Sequence, residues 1–219
     1  MSQQDGYCVV VTETLDLGDA IASQVRKYRL LKNWSVRQLA EECERLGAPQ
    51  LTAASLANIE RGQDPDAKRP PRRVLVEELA VLARALKVPP ILLMLPIGQP
   101  VQVEPVPGQP LTPWQAATWW AGDRSFPSRD TRDGEAFFMA SAPVAYYRNL
   151  DLLIDEWAIH RPRHDSEESR QRRHELEQRL RDLRQNMRRA GVDPGELPPF
   201  LAHLEDPKGV EHGGSDQAD

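Results

Sequence analysis

Apolar side chains recur every three to four residues through most of this chain, and caps, glycines and prolines punctuate the runs. Four helices are predicted between residues 19 and 95. The first spans about 19–32, with Asp19 as N-cap and Ile21, Val25 and Tyr28 on one face. The second opens on "SVRQLAEECERLG", where Ser35 and Gln38 form a capping-box pattern and Gly47 is the stop. The third is "LTAASLANIERG": Thr52 caps it, Ser55, Leu56 and Ile59 form its inward face, and Gly62 ends it. The fourth, "VLVEELAVLARALKV", carries Leu75, Leu79, Leu82 and Leu86 at helical spacing, and a short turn "PPILLML" follows.

Residues 99–113 hold five prolines, which predicts an extended linker. "VQVEPV" and the early "YCVVVTET" each suit a short strand. Helical signals restart at "TPWQ", which has a capping Thr112, Pro113 at the first helical position and Gln115 at the third. A short helix with Trp114, Trp119 and Trp120 is expected there, then a polar loop over 122–135. Tyr147, Leu150, Leu153, Ile154 and Trp157 mark another helix. In the last, Leu176, Leu180, Leu183 and Met187 fall at 4-3-4 spacing, the pattern of a short coiled-coil seam. The expected architecture is all-α: an arm at 1–18, a four- to five-helix domain at 19–98, a linker at 99–111, a helical region at 112–205 and a disordered tail at 206–219.

Bulk properties narrow the class. The two cysteines, Cys8 and Cys43, do not make a disulfide framework, which favours a reducing cytoplasm. The start lacks the features of a secretion signal, and the longest apolar run, "VPPILLMLPIG", is too short and proline-broken to span a bilayer. The net charge of −5 is unevenly spread: residues 20–99 are net basic, while the first 19 and the last 29 are acidic. A polyanionic partner therefore remains compatible with an acidic total.

The stretch from Ile21 to Leu95 resembles the Cro/repressor-like, or XRE, family of helix-turn-helix DNA-binding domains, in a variant like that of actinobacterial members. The resemblance rests on "IASQVRKYR…WSVRQLAEEC", "LTAASLANIERG" and "VEELAVLARALKVPP". It implies that helix 35–46 crosses the sugar–phosphate backbone and that helix 52–61 lies in the major groove. Thr52, Ala53, Ala54, Ser55 and Asn58 then face bases. Ser35, Arg37, Arg61, Lys68, Arg69, Arg72 and Arg73 are the expected phosphate contacts, and Arg29 with Glu60 the expected structural ion pair. Two departures stand out. Val36 occupies the position where the family usually has a phosphate-touching Gln, and the stretch between Ala40 and Thr52 is about six residues longer than usual, which suggests a longer helix and a looser turn.

Among the base-facing residues, the alanines can touch only apolar groups such as thymine methyls, and Ser55 discriminates little. Asn58 is the side chain suited to a bidentate contact, preferentially with adenine. No Walker loop, dinucleotide fingerprint or nucleophile elbow appears, so no enzyme activity and no cofactor are expected. His160 and His164 share i,i+4 spacing, but Pro162 interrupts it, and no metal site is expected. The Arg-rich last helix alternates with acids, which suits a coiled-coil flank. The sequence thus points to a cytoplasmic, nucleoid-associated dimeric repressor that binds double-stranded DNA, with no membrane partner. Two other classes fit it: an antitoxin-like or scaffold module that binds a protein partner, and a regulator gated by a small-molecule effector in the C-terminal half.

Overall fold

The computed structural model describes residues 13–62, 72–128, 130–160 and 166–205. The chain is mostly helical, in rough agreement with an all-α expectation, and its described residues add one small three-stranded sheet, in which "VQVEPV" supplies a strand as expected. It divides into two compact units, residues 1–128 and 129–219.

In the first unit, strand β1 (Thr14–Asp16) leads directly into helix α1 (Leu17–Leu31). The N-cap is Asp16 rather than Asp19: its carboxylate accepts from the Asp19 N–H at 2.8 Å. The helix therefore starts two residues early. Helices α2 (Val36–Arg45), α3 (Ala53–Arg61), α4 (Val76–Leu86) and α5 (Pro90–Met94) follow. Their inward faces share one core, in which Val25, Leu39, Leu56, Ile59, Leu82 and Leu93 are buried.

The connection between α2 and α3 is not loose, and α2 with its caps Ser35 and Leu46 covers the expected span 35–46. The Ala48 N–H donates to the Cys43 carbonyl (2.9 Å) and the Gly47 N–H to that of Glu44 (2.9 Å), a Schellman closure made possible by Gly47 at φ +89°. Ala48 and Leu51 then plug into the core.

The proline-rich segment is not a linker. Strand β2 (Gln102–Val106) pairs parallel with β1, Leu15 opposite Val103, and antiparallel with β3 (Gln109–Leu111). Alternation places Val103 and Leu111 inward, against Ala20 and Leu95. Helix α6 (Pro113–Trp120) starts with a complete Thr112/Gln115 capping box, and Ala116 and Ala117 join that same cluster. The tryptophan helix thus belongs to the first unit. Strand β2 is central, but its Pro105 lies past Glu104, the last residue paired with β1, and in the irregular stretch of the pairing with β3, while Pro110 is on the edge strand β3. The missing N–H donors therefore fall where the ladder is already interrupted or at an edge.

The second unit is an antiparallel hairpin of α7 (Thr131–Ile159) and α8 (Glu167–Arg189), closed by a 3₁₀ turn at Pro199–Leu204. Helix α7 takes in the last five residues of the expected polar loop, 131–135, and runs through Pro143, whose ring removes one backbone donor. Leu176, Leu180 and Met187 are fully buried against Leu150, Leu153 and Trp157 of α7 and Leu201 of the turn, with Leu183 partly buried beside them. Trp157 stacks on Phe200, ring centroids 5.3 Å apart. The expected dimer seam is therefore corrected: an apolar stripe tethered to a matching one in the same chain is satisfied internally. No helix among the described residues is long and apolar enough to cross a membrane.

Candidate nucleic-acid interface

Helix α3 is held by its inner face and presents the other. Thr52 caps it through a 3.1 Å bond from the Ser55 N–H, Leu56 and Ile59 anchor it in the core, and Gly62 closes it. Gly62 has φ +64°, a conformation that favours glycine, and a Cβ there would press on the Asp19 carboxylate at 3.0 Å. The outward residues are small: Thr52, Ala54 and Ala57 are exposed, while Ala53, Ser55 and Asn58 are half-buried.

Asn58 differs from its expected presentation. Its Oδ1 is shielded from solvent without a hydrogen-bond partner, as is the Ser55 Oγ. A bidentate contact to a base needs Oδ1 and Nδ2 together. The side chain must therefore rotate before it can make one.

The C-terminal end of α3 is clamped. Arg29 of α1 donates through Nε and Nη2 to both oxygens of Glu60, at 2.7 and 2.6 Å, and through Nη1 to the Trp34 carbonyl at 2.7 Å. Both side chains are nearly buried. The Glu60 hydrogen bonds raise the Arg29 pKa above its ordinary value, against the opposing effect of burial. The clamp joins the end of α1, the start of α2 and the end of α3.

On α2, Ser35 is occupied by its capping box: its Oγ accepts from the Gln38 N–H (3.2 Å) and its N–H donates to Gln38 Oε1 (2.8 Å). Val36 packs on the core. Arg37 is 84% exposed and only lightly held by Glu41, 3.2 Å away. The same helix also carries Glu42 and Glu44, so its outer side is not simply basic.

Two of the expected phosphate contacts are committed elsewhere. Arg72 grips both oxygens of Glu78 at 3.0 and 2.6 Å, and the Glu78 side chain is only 2% exposed. Arg73 donates both terminal nitrogens to Asp16 at 3.0 Å and lies across Gly18, where a Cβ would collide with it. Both arginines stitch the start of α4 or the β1–α1 junction instead of facing solvent unpaired. Sequence spacing cannot reveal this, because Asp16 lies 57 positions from Arg73. Lys68 and Arg69 lie outside the described residues.

Arg61 is exposed and borders an open groove of 720 Å³ together with Arg26 and Lys27 of α1. Sequence reasoning missed these two cations. Their signal was the polar side of α1 opposite Val25. The groove also contains Glu13, Asp19 and Glu60, so its charge is mixed.

Comparison of the chain with protein-family models, curated proteins and solved structures finds no match.

Proposed function

We propose that the chain is a sequence-specific, double-stranded-DNA-binding transcriptional regulator, acting as a homodimer that represses by occupying its operator. The observation that carries this reading is the way α3 is mounted. Its inner face is core, its end is clamped by Arg29–Glu60, and its first two turns offer small side chains outward. Small residues let a helix approach base edges closely, and a rigid mount fixes its register. In this reading α2 and α3 form a helix-turn-helix unit of the Cro/repressor-like kind. Thr52, Ala53, Ala54, Ser55 and a rotated Asn58 face bases, while Arg37 and Arg61, with Lys68 and Arg69, supply phosphate contacts. Discrimination per half-site is modest, so affinity depends on phosphate neutralisation and on pairing two half-sites.

Selection of bound duplexes from a random pool tests this directly. An enriched sequence is expected, and Ala54→Glu should abolish its binding without unfolding the protein, because at that exposed, base-facing site a long carboxylate both blocks close approach and enters the negative potential of the groove. Absence of any enriched sequence, with a folded protein and low salt, would sink the reading.

One observation favours a second reading, a protein-interaction module. Glu41, Glu42 and Glu44 outnumber the cations of α2, and Arg72 and Arg73 are paired. A protein partner with a basic surface suits such a face. Duplex affinity that falls steeply with salt, by roughly a factor of 10³ or more between 50 and 200 mM, argues against it.

A further inference from the structure

Helix α7 is longer than its partner needs. The Tyr147 hydroxyl donates to the carbonyl of Asp193, beyond the end of α8, so the hairpin's packing stops near that level. The preceding turns of α7 continue past it. Residues 136–147 of this extension carry no charged side chain. Phe138 is 56% exposed, Met139 80% and Val144 44%. A bare, uncharged helical surface of this size is costly in water unless something covers it.

The pattern of the exposed apolar positions identifies the cover. Phe138, Ala145, Leu152 and Ile159 are all exposed and stand seven residues apart. The row is symmetric about a point between Arg148 and Asn149. Two copies of α7 laid antiparallel about that point place Phe138 against the partner's Ile159 and Ala145 against the partner's Leu152. Between these layers, the small Ala142 and Ser141 oppose Asp155 and Glu156, so no like charges meet at those levels. The same superposition sets the uncharged extension of one copy beside a groove between α7 and α8 of the other, whose apolar lining is Leu152, Leu153, Ile159 and Leu183 and whose charged side chains are Asp155, Glu156, Arg179 and Asp182. The row is ~32 Å long, and a two-helix groove ~20 Å wide gives a footprint of about 640 Å² per copy. The total lies within the range of standard interfaces, roughly 1,200–2,000 Å².

We propose that the second unit is a homodimerisation module, in which the uncharged stretch 136–147 of α7 from each copy seats in the α7–α8 groove of the other, about a two-fold axis between Arg148 and Asn149. A self-complementary patch on one helix is what an isologous two-fold contact requires. This assignment does not depend on DNA binding. It replaces the α8 stripe, which is buried within the chain, with a face that is free to pair.

The test uses the full chain. Analytical ultracentrifugation should find a dimer, and Leu152→Glu with Ile159→Glu should weaken it by about 100-fold or more with circular dichroism unchanged. In a Cys8→Ser background, Ala145→Cys combined with Leu152→Cys should form an oxidised dimer. Leu152→Cys alone should not, because its two copies sit ~10 Å apart along the axis, beyond disulfide reach. The proposal is overturned by a chain that stays monomeric at about 100 µM, by glutamate variants that still dimerise, or by efficient cross-linking of Leu152→Cys alone. If the glutamates reduced helicity, the cross-linking pair decides.

Discussion

The guanidinium of Arg29 and the carboxylate of Glu60 meet as two parallel hydrogen bonds, 2.7 and 2.6 Å, across 31 residues of chain. A third bond ties the same guanidinium to the backbone of Trp34. The pair fixes where α3 ends relative to α1 and to the entry of α2. Either side chain alone would be a nearly buried charge without a counter-ion. Arg29→Ala and Glu60→Ala are each expected to destabilise the unit by about 3 kcal/mol, and the double variant by less than their sum. Denaturant titration of the three proteins measures that coupling, and full additivity would remove the clamp from the account.

Arg72 distinguishes structure from binding. Because it neutralises Glu78, Arg72→Ala should lower the melting temperature while leaving the salt slope of DNA binding unchanged. Arg61→Ala should do the reverse, lowering the slope by about 1 per site with little change in melting. The opposite result would return Arg72 to the phosphate interface.

Glu78 also sets a pH dependence. Burial pushes its carboxyl pKa up, but the Arg72 bonds and the Leu75 N–H outweigh this and leave it below the ordinary value. A depressed carboxylate contributes its stability in full above the unfolded-state pKa and loses it as pH falls through the folded-state value. The first unit should therefore weaken on acidification below the ordinary carboxylate range, and Glu78→Gln should flatten that part of the curve. Melting temperature against pH for the two proteins provides the measurement. Parallel curves would exclude a contribution from Glu78.

Cys43 should be inert in the folded protein. It is fully buried in the core between α2 and its neighbours, and burial pushes its thiol pKa up to about 11. A thiol-specific reagent is expected to modify it only at the rate of opening of the unit, and promptly in denaturant. Rapid modification under native conditions would mean that α2 is less firmly packed than the core implies.

Asn58 provides the most direct check on base contact. Its shielded Oδ1 has no partner in the free protein. Removing an unsatisfied oxygen should cost little stability, or even add some. Asn58→Ala is thus expected to leave melting nearly unchanged while weakening preference at one base position by about 1–3 kcal/mol. Uniform weakening across all sequences would make it a backbone contact.

Local structure was largely legible. The caps at Ser35, Thr52 and Thr112 act over three residues, so sequence spacing is sufficient to read them. Helical periodicity marked Leu56, Ile59, Leu79 and Leu82 for the core, since each follows from its own helix's inner face. The start of α1 was misread because two acids, Asp16 and Asp19, both suit a cap, and only the bond from the Asp19 N–H decides between them.

The partners of those elements were less legible. The 102–111 hairpin looked like a linker because its strands are short and proline-bearing, and their pairing depends on β1 nearly ninety residues earlier. Arg72 and Arg73 looked free because a run of cations reads as a solvated loop until its carboxylates are located in space. The stripe Leu176, Leu180, Leu183 and Met187 had the correct period, but periodicity states only that a face must be covered. By itself the sequence determined which faces are apolar and where helices begin and stop, through interactions that span one or two turns. Tertiary structure alone decided what each face meets. That choice depends on contacts tens of residues apart, in which a cation far from its carboxylate, or a stripe with a partner in the same chain, is indistinguishable in sequence from one awaiting a ligand.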